Sequence, residues 1–127
     1  MWNYGSEDST QKVEAYDPCP DGWRLPTNSE FSNLSDNRSP WTTNGAGQAG
    51  SWFSGETPYA GTVPQVFLPA AGCRNYSTGE AVGRGTDGYY WSSRPGSHGI
   101  ALCINSERAH MISQYRAYGY SVRCVQE

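Results

Sequence analysis

Turn-forming residues recur so often along this chain that it can contain only short strands and short helices. The 127 residues include 15 glycines and 8 prolines, which favour turns and end helices. A chain of this length suits one domain with a substantial core. Its apolar residues include five Trp, nine Tyr and three Phe, so we expect a loop-rich fold built around aromatic side chains. The pattern predicts an irregular N-terminal end over residues 1–10 and a single domain over residues 11–127.

The clearest local signal is a helix start. Thr27 and Glu30 have the spacing of a capping box, in which each side chain accepts a hydrogen bond from the other residue's backbone N–H. Phe31 and Leu34 follow three residues apart and form one apolar stripe. These residues predict a short helix over Asn28–Ser35.

The remaining elements are predicted to be short strands, which together with the helix give an α+β fold. Ile100, Leu102 and Ile104 alternate with more polar neighbours, as in a half-buried strand. Residues 36–65 are expected to form an ordered loop region held by buried Trp41, Trp52 and Phe53, since disordered segments have low hydrophobicity. Strands are expected over Gln11–Tyr16, Val66–Gly72, Gly88–Ser93, Ile100–Asn105, His110–Gln114 and Tyr120–Val125.

Composition excludes several partners. The formal net charge is −3, and no basic cluster suits a phosphate backbone, so nucleic acid is not expected as a partner. No segment approaches the roughly 20 apolar residues that span a bilayer, so membrane insertion is not expected. The first residues lack the basic and apolar regions of a signal peptide. We therefore expect either a chain not secreted by that route or a Met1 added to an excised domain.

Four cysteines allow three pairings if all are bridged, and free thiols in a reducing compartment are the alternative. None of the four forms a CxxC pair, so a zinc site is not expected, and no other metal or cofactor is predicted. A Cys19–Cys124 bridge would enclose nearly the whole domain, which is the arrangement that constrains the unfolded chain most.

Several segments, taken in order, resemble one family. Residues 16–27 read YDPCPDGWRLPT, residues 67–72 read FLPAAG, residues 88–93 read GYYWSS, and residues 116–125 read RAYGYSVRCV. Together they are similar to the Fibrobacter succinogenes major paralogous domain, with a match over about residues 13–126. The RLPT segment and the ending also look like the formylglycine-generating-enzyme-like group, a branch of the C-type-lectin-like fold.

The resemblance implies a C-type-lectin-like fold and a terminal bridge between Cys19 and Cys124. An enzyme of the formylglycine-generating group would need a close pair of reactive thiols, and a bridged cysteine offers no thiolate. Cys73 and Cys103 are expected to form a second bridge or to be two incidental thiols. Catalysis is therefore not expected.

Domains of this kind also serve as variable proteins of diversity-generating retroelements, in which mutagenesis at adenines varies outward positions near the C-terminus. The stretch from Trp91 to Arg123 fits this description, and Cys103 lies where the family often has Tyr. Inward Ile100, Leu102, Ile104 and Val122 look ordinary for a core. The candidate ligand-binding residues are Arg94, Ser97, His98, Cys103, Asn105, Arg108, His110, Ile112, Tyr115, Ala117 and Tyr118.

Little in the sequence supports acid–base catalysis by histidine or calcium binding. His98 and His110 have no predictable carboxylate partner and are expected to be surface histidines. The motifs Glu-Pro-Asn, Gln-Pro-Asp and Trp-Asn-Asp, with which lectins of this fold hold calcium, do not occur. Trp91 and one of Tyr89 and Tyr90 are expected in the core, because neighbours on a strand point in opposite directions.

We therefore predict a non-catalytic domain that binds an unknown protein or glycan ligand, displayed outside the cell, on a cell surface or on a virion. The expected chain is a monomer or associates weakly with itself. A structural or fimbrial module whose loops contact sister subunits is the alternative, and a formylglycine-generating-type relative is a less favoured one. The prediction requires Arg94, Asn105, His110 and Tyr115 to share one exposed patch.

Overall fold

The computed structural model describes residues 10, 16–54, 65–94 and 98–127. Within them the chain forms one helix and ten short strands, which confirms the α+β class. No helix there has the length and apolar character needed to cross a membrane. The elements are β1 (Trp23–Arg24), α1 (Asn28–Ser35), β2 (Thr42–Thr43), β3 (Ala49–Ser54), β4 (Gln65–Pro69), β5 (Cys73–Arg74), β6 (Ala81–Val82), β7 (Gly88–Trp91), β8 (Gly99–Ile104), β9 (Ala109–Gln114) and β10 (Val125–Gln126).

Helix α1 has the predicted bounds and the predicted cap. The Thr27 hydroxyl accepts a hydrogen bond from the Glu30 backbone N–H at 3.2 Å, and the Glu30 carboxylate accepts one from the Thr27 N–H at 2.8 Å. Arg24 donates two further bonds to the same carboxylate, at 2.9 and 2.6 Å. These bonds from Arg24 hold the pKa of Glu30 below its ordinary value. The RLPT segment thus ties the start of α1 to β1.

The core lies on the inner face of an antiparallel sheet in the order β7–β8–β9. Tyr90, Leu102 and Ile104 point to this face and are buried with Phe31 of α1 and Phe53 of β3. The second three-stranded sheet, β2–β3–β4, adds Leu68 to the same cluster. The prediction that one of the two tyrosines belongs to the core is confirmed, and that tyrosine is Tyr90.

Two parts of the chain differ from the sequence-based expectation. The segment predicted as loop contains strand β3, whose Phe53 side chain is completely buried. The final segment, predicted as a strand over Tyr120–Val125, pairs with β7 only at Ser121 before β10 begins. Val122 is 41% exposed, so its expected inward position is wrong. The strand predicted over Gln11–Tyr16 lies outside the described residues except for Tyr16.

One disulfide joins the two ends of the described domain. Cys19 and Cys124 are bridged, and close by β1 pairs with β10, with Trp23 opposite Gln126. Asp17 supports the incoming chain by accepting hydrogen bonds from the Cys19 and Leu25 backbone N–H groups at 2.8 and 3.3 Å.

Candidate functional site

The outer face of the β7–β8–β9 sheet carries the side chains that do not enter the core. The register places Tyr89 opposite Cys103 and Cys103 opposite His110. Because side chains alternate along a strand, Tyr89, Cys103 and His110 point away from the core face. Trp91 shares this face two residues further along β7.

Tyr120 covers the centre of this outer face. Its ring lies 4.8 Å from the ring of Tyr89 and 4.4 Å from that of Trp91, between centroids. On the other side, the ring of Tyr118 lies 5.3 Å away. The chain is fixed here because the Ser121 N–H donates to the Tyr89 carbonyl at 2.9 Å. The Tyr120 ring therefore connects the rings of Tyr89 and Trp91 on the sheet to the ring of Tyr118, which lies nearer the surface.

The rings continue to the surface through Tyr76. Its centroid lies 5.1 Å from Tyr118 and 5.0 Å from Tyr115, and Tyr115 lies 5.4 Å from His98. We call these contiguous rings the aromatic array: Trp91, Tyr89, Tyr120, Tyr118, Tyr76, Tyr115 and His98. Its inner end is buried, with Trp91 5% exposed, whereas Tyr76 and Tyr115 at the outer end are 48% and 53% exposed.

The turn that carries Tyr76 is internally ordered. The Asn75 side-chain oxygen accepts hydrogen bonds from the backbone N–H groups of Ser77 and Thr78, at 2.9 and 3.2 Å. Next to this turn, Arg74 and Gly119 exchange two backbone hydrogen bonds of 2.9 and 3.0 Å. A side chain at Gly119 would come within 2.9 Å of the Arg74 Cβ, so this close approach requires glycine. Tyr76 and Tyr118 are thereby held side by side.

A shallow cleft opens beside Tyr115. It has a volume of about 330 Å³ and is lined by His98, Ser113, Gln114 and Tyr115. Its lining offers hydroxyl, amide and imidazole groups next to an aromatic ring, a combination that suits a ligand with both polar and apolar parts.

A family model described as a domain of unknown function, DUF8237, matches residues 41–125. This is about two thirds of the chain. The chain belongs to the DUF8237 family. The match includes every residue of the aromatic array. No curated protein and no solved structure matches the chain.

In this DUF8237 domain the predicted binding residues divide into two groups. Arg94 is half-buried after β7, and His98, Tyr115 and Ala117 are exposed at the same end of the sheet, where Tyr118 is half-buried. Arg108, exposed, lies with Asn105 at the opposite end, and His110 and Ile112 lie half-buried along β9. Ser97 lies outside the described residues.

The single patch expected from Arg94, Asn105, His110 and Tyr115 does not form. Asn105 follows β8 and Tyr115 follows β9, so the length of the hairpin separates them by about 17–20 Å. Asn105 has a structural role instead: its side chain accepts hydrogen bonds from the Glu107 and Arg108 N–H groups at 2.9 and 3.0 Å. The half-buried His110 ring has a pKa below the ordinary value because of burial and the nearby Arg108.

Cys103 is another correction, because it was expected to be exposed and is 6% exposed. It lies under the array, opposite Tyr89 in the neighbouring strand. Burial raises the pKa of Tyr89 to about 12, so the Tyr89 hydroxyl stays protonated. Cys103 is thus part of the support of the array rather than of its surface.

Cys73 and Cys103 are free thiols, so the second bridge considered from the sequence is absent. Gly72 pairs with Gly88 of β7, which places Cys73 on one side of Tyr89, and Cys103 lies opposite Tyr89 on the other side. Two strand spacings correspond to about 10 Å between Cα atoms, beyond the ~7 Å that a disulfide spans. Burial, with a further contribution from Asp87, raises the pKa of both thiols.

We therefore expect two reactive thiols per chain when the protein is denatured without reduction. In the native state both should react slowly with iodoacetamide, because a raised pKa and burial suppress the thiolate, and Cys103 should be the slower. Mass spectrometry of alkylated protein, with Cys73→Ala and Cys103→Ala to assign the sites, measures this. Absence of any reactive thiol after denaturation would contradict the unbridged arrangement.

Tyr76 is the surface residue that the sequence-based prediction missed. It lies before the C-terminal third, in a turn that reads as an ordinary loop. The available signal was a large aromatic residue within an otherwise polar turn, Asn75–Glu80. Its contacts with Tyr115 and Tyr118 depend on pairing between distant segments, which one sequence does not reveal.

Proposed function

We propose that this chain is a non-catalytic recognition domain that binds a protein or glycan ligand through the outer end of the aromatic array. The observation that carries the proposal is that Tyr76 and Tyr115 lie 5.0 Å apart, each about half exposed, on a support of packed rings. Tyrosine gives large contact area with few rotatable bonds, so its ordering on binding costs little entropy. Here contacts with the rings of Tyr118 and His98 already restrict the two side chains in the free domain, which lowers the entropy lost on binding.

The thiols support a non-catalytic role. Cys19 and Cys124 are bridged, and the remaining two cysteines have raised pKa values. A thiol nucleophile needs the opposite electrostatic environment, one that stabilises the thiolate.

We also propose that the fold is C-type-lectin-like and that the resemblance to the Fibrobacter succinogenes major paralogous domain reflects common descent. The early capped helix, the paired chain ends β1 and β10, and the terminal bridge agree with that fold. A disulfide of this kind persists in oxidising compartments, which supports display outside the cell or on a virion.

Sequence diversification by a retroelement remains part of this proposal, with a narrower set of positions. Exposed His98, Tyr115 and Ala117, which share one end of the sheet, can change at little cost, since surface substitutions usually shift stability by under ~0.5 kcal/mol. Cys103 and Asn105 cannot, because one is buried and the other holds a turn. Sequencing several copies from one population should find scatter at the first set and conservation at the second.

Binding should depend on the two exposed tyrosines. We expect the double variant Tyr76→Ala/Tyr115→Ala to lose about tenfold or more of its binding, because exposed tyrosines at the centre of an interface dominate its energy. The measurement is flow cytometry with the labelled domain on a panel of bacterial and epithelial cells. Tyr16→Ala removes another exposed tyrosine, 67% exposed, that precedes β1 in the chain and is not part of the aromatic array, and should bind normally.

Equal binding by the double variant and the wild type would overturn the site. Size exclusion at several concentrations separates the structural alternative: concentration-dependent self-assembly that the same two substitutions abolish would favour a module that contacts sister subunits. The melting temperature of each variant controls for unfolding.

A further inference from the structure

Charge in this chain is divided between its two parts. Residues 1–65 have eight carboxylate side chains and three basic ones, whereas residues 74–123 have six arginines and three carboxylates. Although the formal net charge of the whole chain is −3, its C-terminal part therefore has more positive than negative side chains. Such an asymmetry affects which ligands a surface attracts.

Two described carboxylates of the N-terminal part, Glu30 and Asp36, lie at helix α1. Helix α1, which carries Glu30 and is capped at its C-terminal end by Asp36, packs near the inner face of the β7–β8–β9 sheet through Phe31. The aromatic array lies on the outer face. The sheet thus separates these two carboxylates from the tyrosines of its outer face.

Arg74 and Arg116 are the arginines next to the exposed tyrosines. The Arg74 guanidinium donates one hydrogen bond of 3.0 Å to the Gly79 carbonyl, in the turn that carries Tyr76, and Arg74 is itself exposed. A guanidinium has five donors, so further donors remain for a ligand. Arg116 is exposed and directly follows Tyr115. Glu80 is the one carboxylate of the Tyr76 turn.

We propose that the ligand of this surface is a protein that presents carboxylates beside apolar side chains, an inference that rests on the proposed function. Tyrosine and arginine are the residues that dominate the energy of protein interfaces. Arginine binds a carboxylate with two parallel hydrogen bonds, which gives orientation as well as affinity. Two arginines are too few for a nucleic acid backbone, which requires many neutralised phosphates.

The probe is a phage-displayed library of random twelve-residue peptides, selected against the intact domain at low salt. We expect enriched peptides to combine Asp or Glu with apolar residues. Arg116→Glu should weaken their binding about tenfold or more, and added salt should weaken binding to the wild type. Arg84→Glu is the matched control: it makes the same charge change on an exposed residue at the base of the β5–β6 hairpin, away from Tyr76 at its tip, and should bind normally.

The outcomes separate this inference from the proposed function. One result is a set of peptides that require Tyr76 and Tyr115 for binding yet carry no acidic residues; another is a set that binds Arg116→Glu as well as the wild type. Either result would contradict an acidic ligand but would still support the recognition surface. Peptides whose binding instead requires Trp23, in the apolar groove beside α1, would contradict both the acidic ligand and the proposed recognition surface. A library that yields no binder, or binding of sulfated glycans on a printed array alone, would overturn the protein class of ligand.

Discussion

Replacing both Cys19 and Cys124 with alanine should lower the free energy of unfolding by about 4–5 kcal/mol. The two residues are 105 positions apart, so the bridge restricts nearly the whole unfolded chain, and a loop of about 100 residues corresponds to about 4.7 kcal/mol in the chain-entropy account. A domain of this size has about 5–15 kcal/mol of stability in total. The variant should therefore be marginally stable at physiological temperature.

Urea denaturation followed by tryptophan fluorescence measures this loss. The slope of the free energy against urea concentration should rise, because an unbridged chain exposes more surface when it unfolds. Cys73→Ala removes a half-buried thiol that has no bridge and should cost much less, about 1 kcal/mol or below. A loss in the double variant no larger than that of Cys73→Ala would mean that pairing of β1 with β10 alone keeps the ends together.

The local elements of the fold could be predicted because their signals lie within a few residues. The capping box of Thr27 and Glu30 fixed the start of α1, and the alternation from Ile100 to Ile104 identified β8. Strand β3 was missed because Gly50, Ser51 and Ser54 make its sequence resemble a loop. Its Phe53 points inward only through pairing with β4, which is a contact between separate segments.

The candidate site was predicted less well, and for a related reason. Alternation correctly placed Cys103 and His110 on the outer face of the sheet, but a face that points away from the core is not thereby exposed. Tyr120 covers Tyr89 and Trp91, and it reaches them because Ser121 pairs with β7 across about 30 residues of chain. Sequence periodicity describes one strand at a time and contains no information about a ring that arrives from another segment.

Phe53→Ala should be the most destabilising single truncation in the core, with a loss of about 3–5 kcal/mol. The Phe53 side chain is completely buried and packs with Leu102 and Ile104 on the inner face of the sheet that carries the array. Removal of its ring costs the transfer free energy of the lost atoms and leaves a cavity that the surrounding strands fill only in part.

Phe67→Ala is the matched control, because it removes the same ring from the neighbouring strand β4. Phe67 is half-buried on the opposite face, where its ring meets Trp52 at 5.1 Å, so we expect a loss of about 1–2 kcal/mol. Urea denaturation of both variants gives the comparison, and equal losses would contradict the assignment of the core to the Phe53 face.

In the fraction that remains folded, Phe53→Ala should still bind through Tyr76 and Tyr115, because those rings are held from the outer side by Tyr118 and His98. A loss of binding in folded Phe53→Ala would instead mean that the inner packing sets the positions of the exposed rings through the sheet.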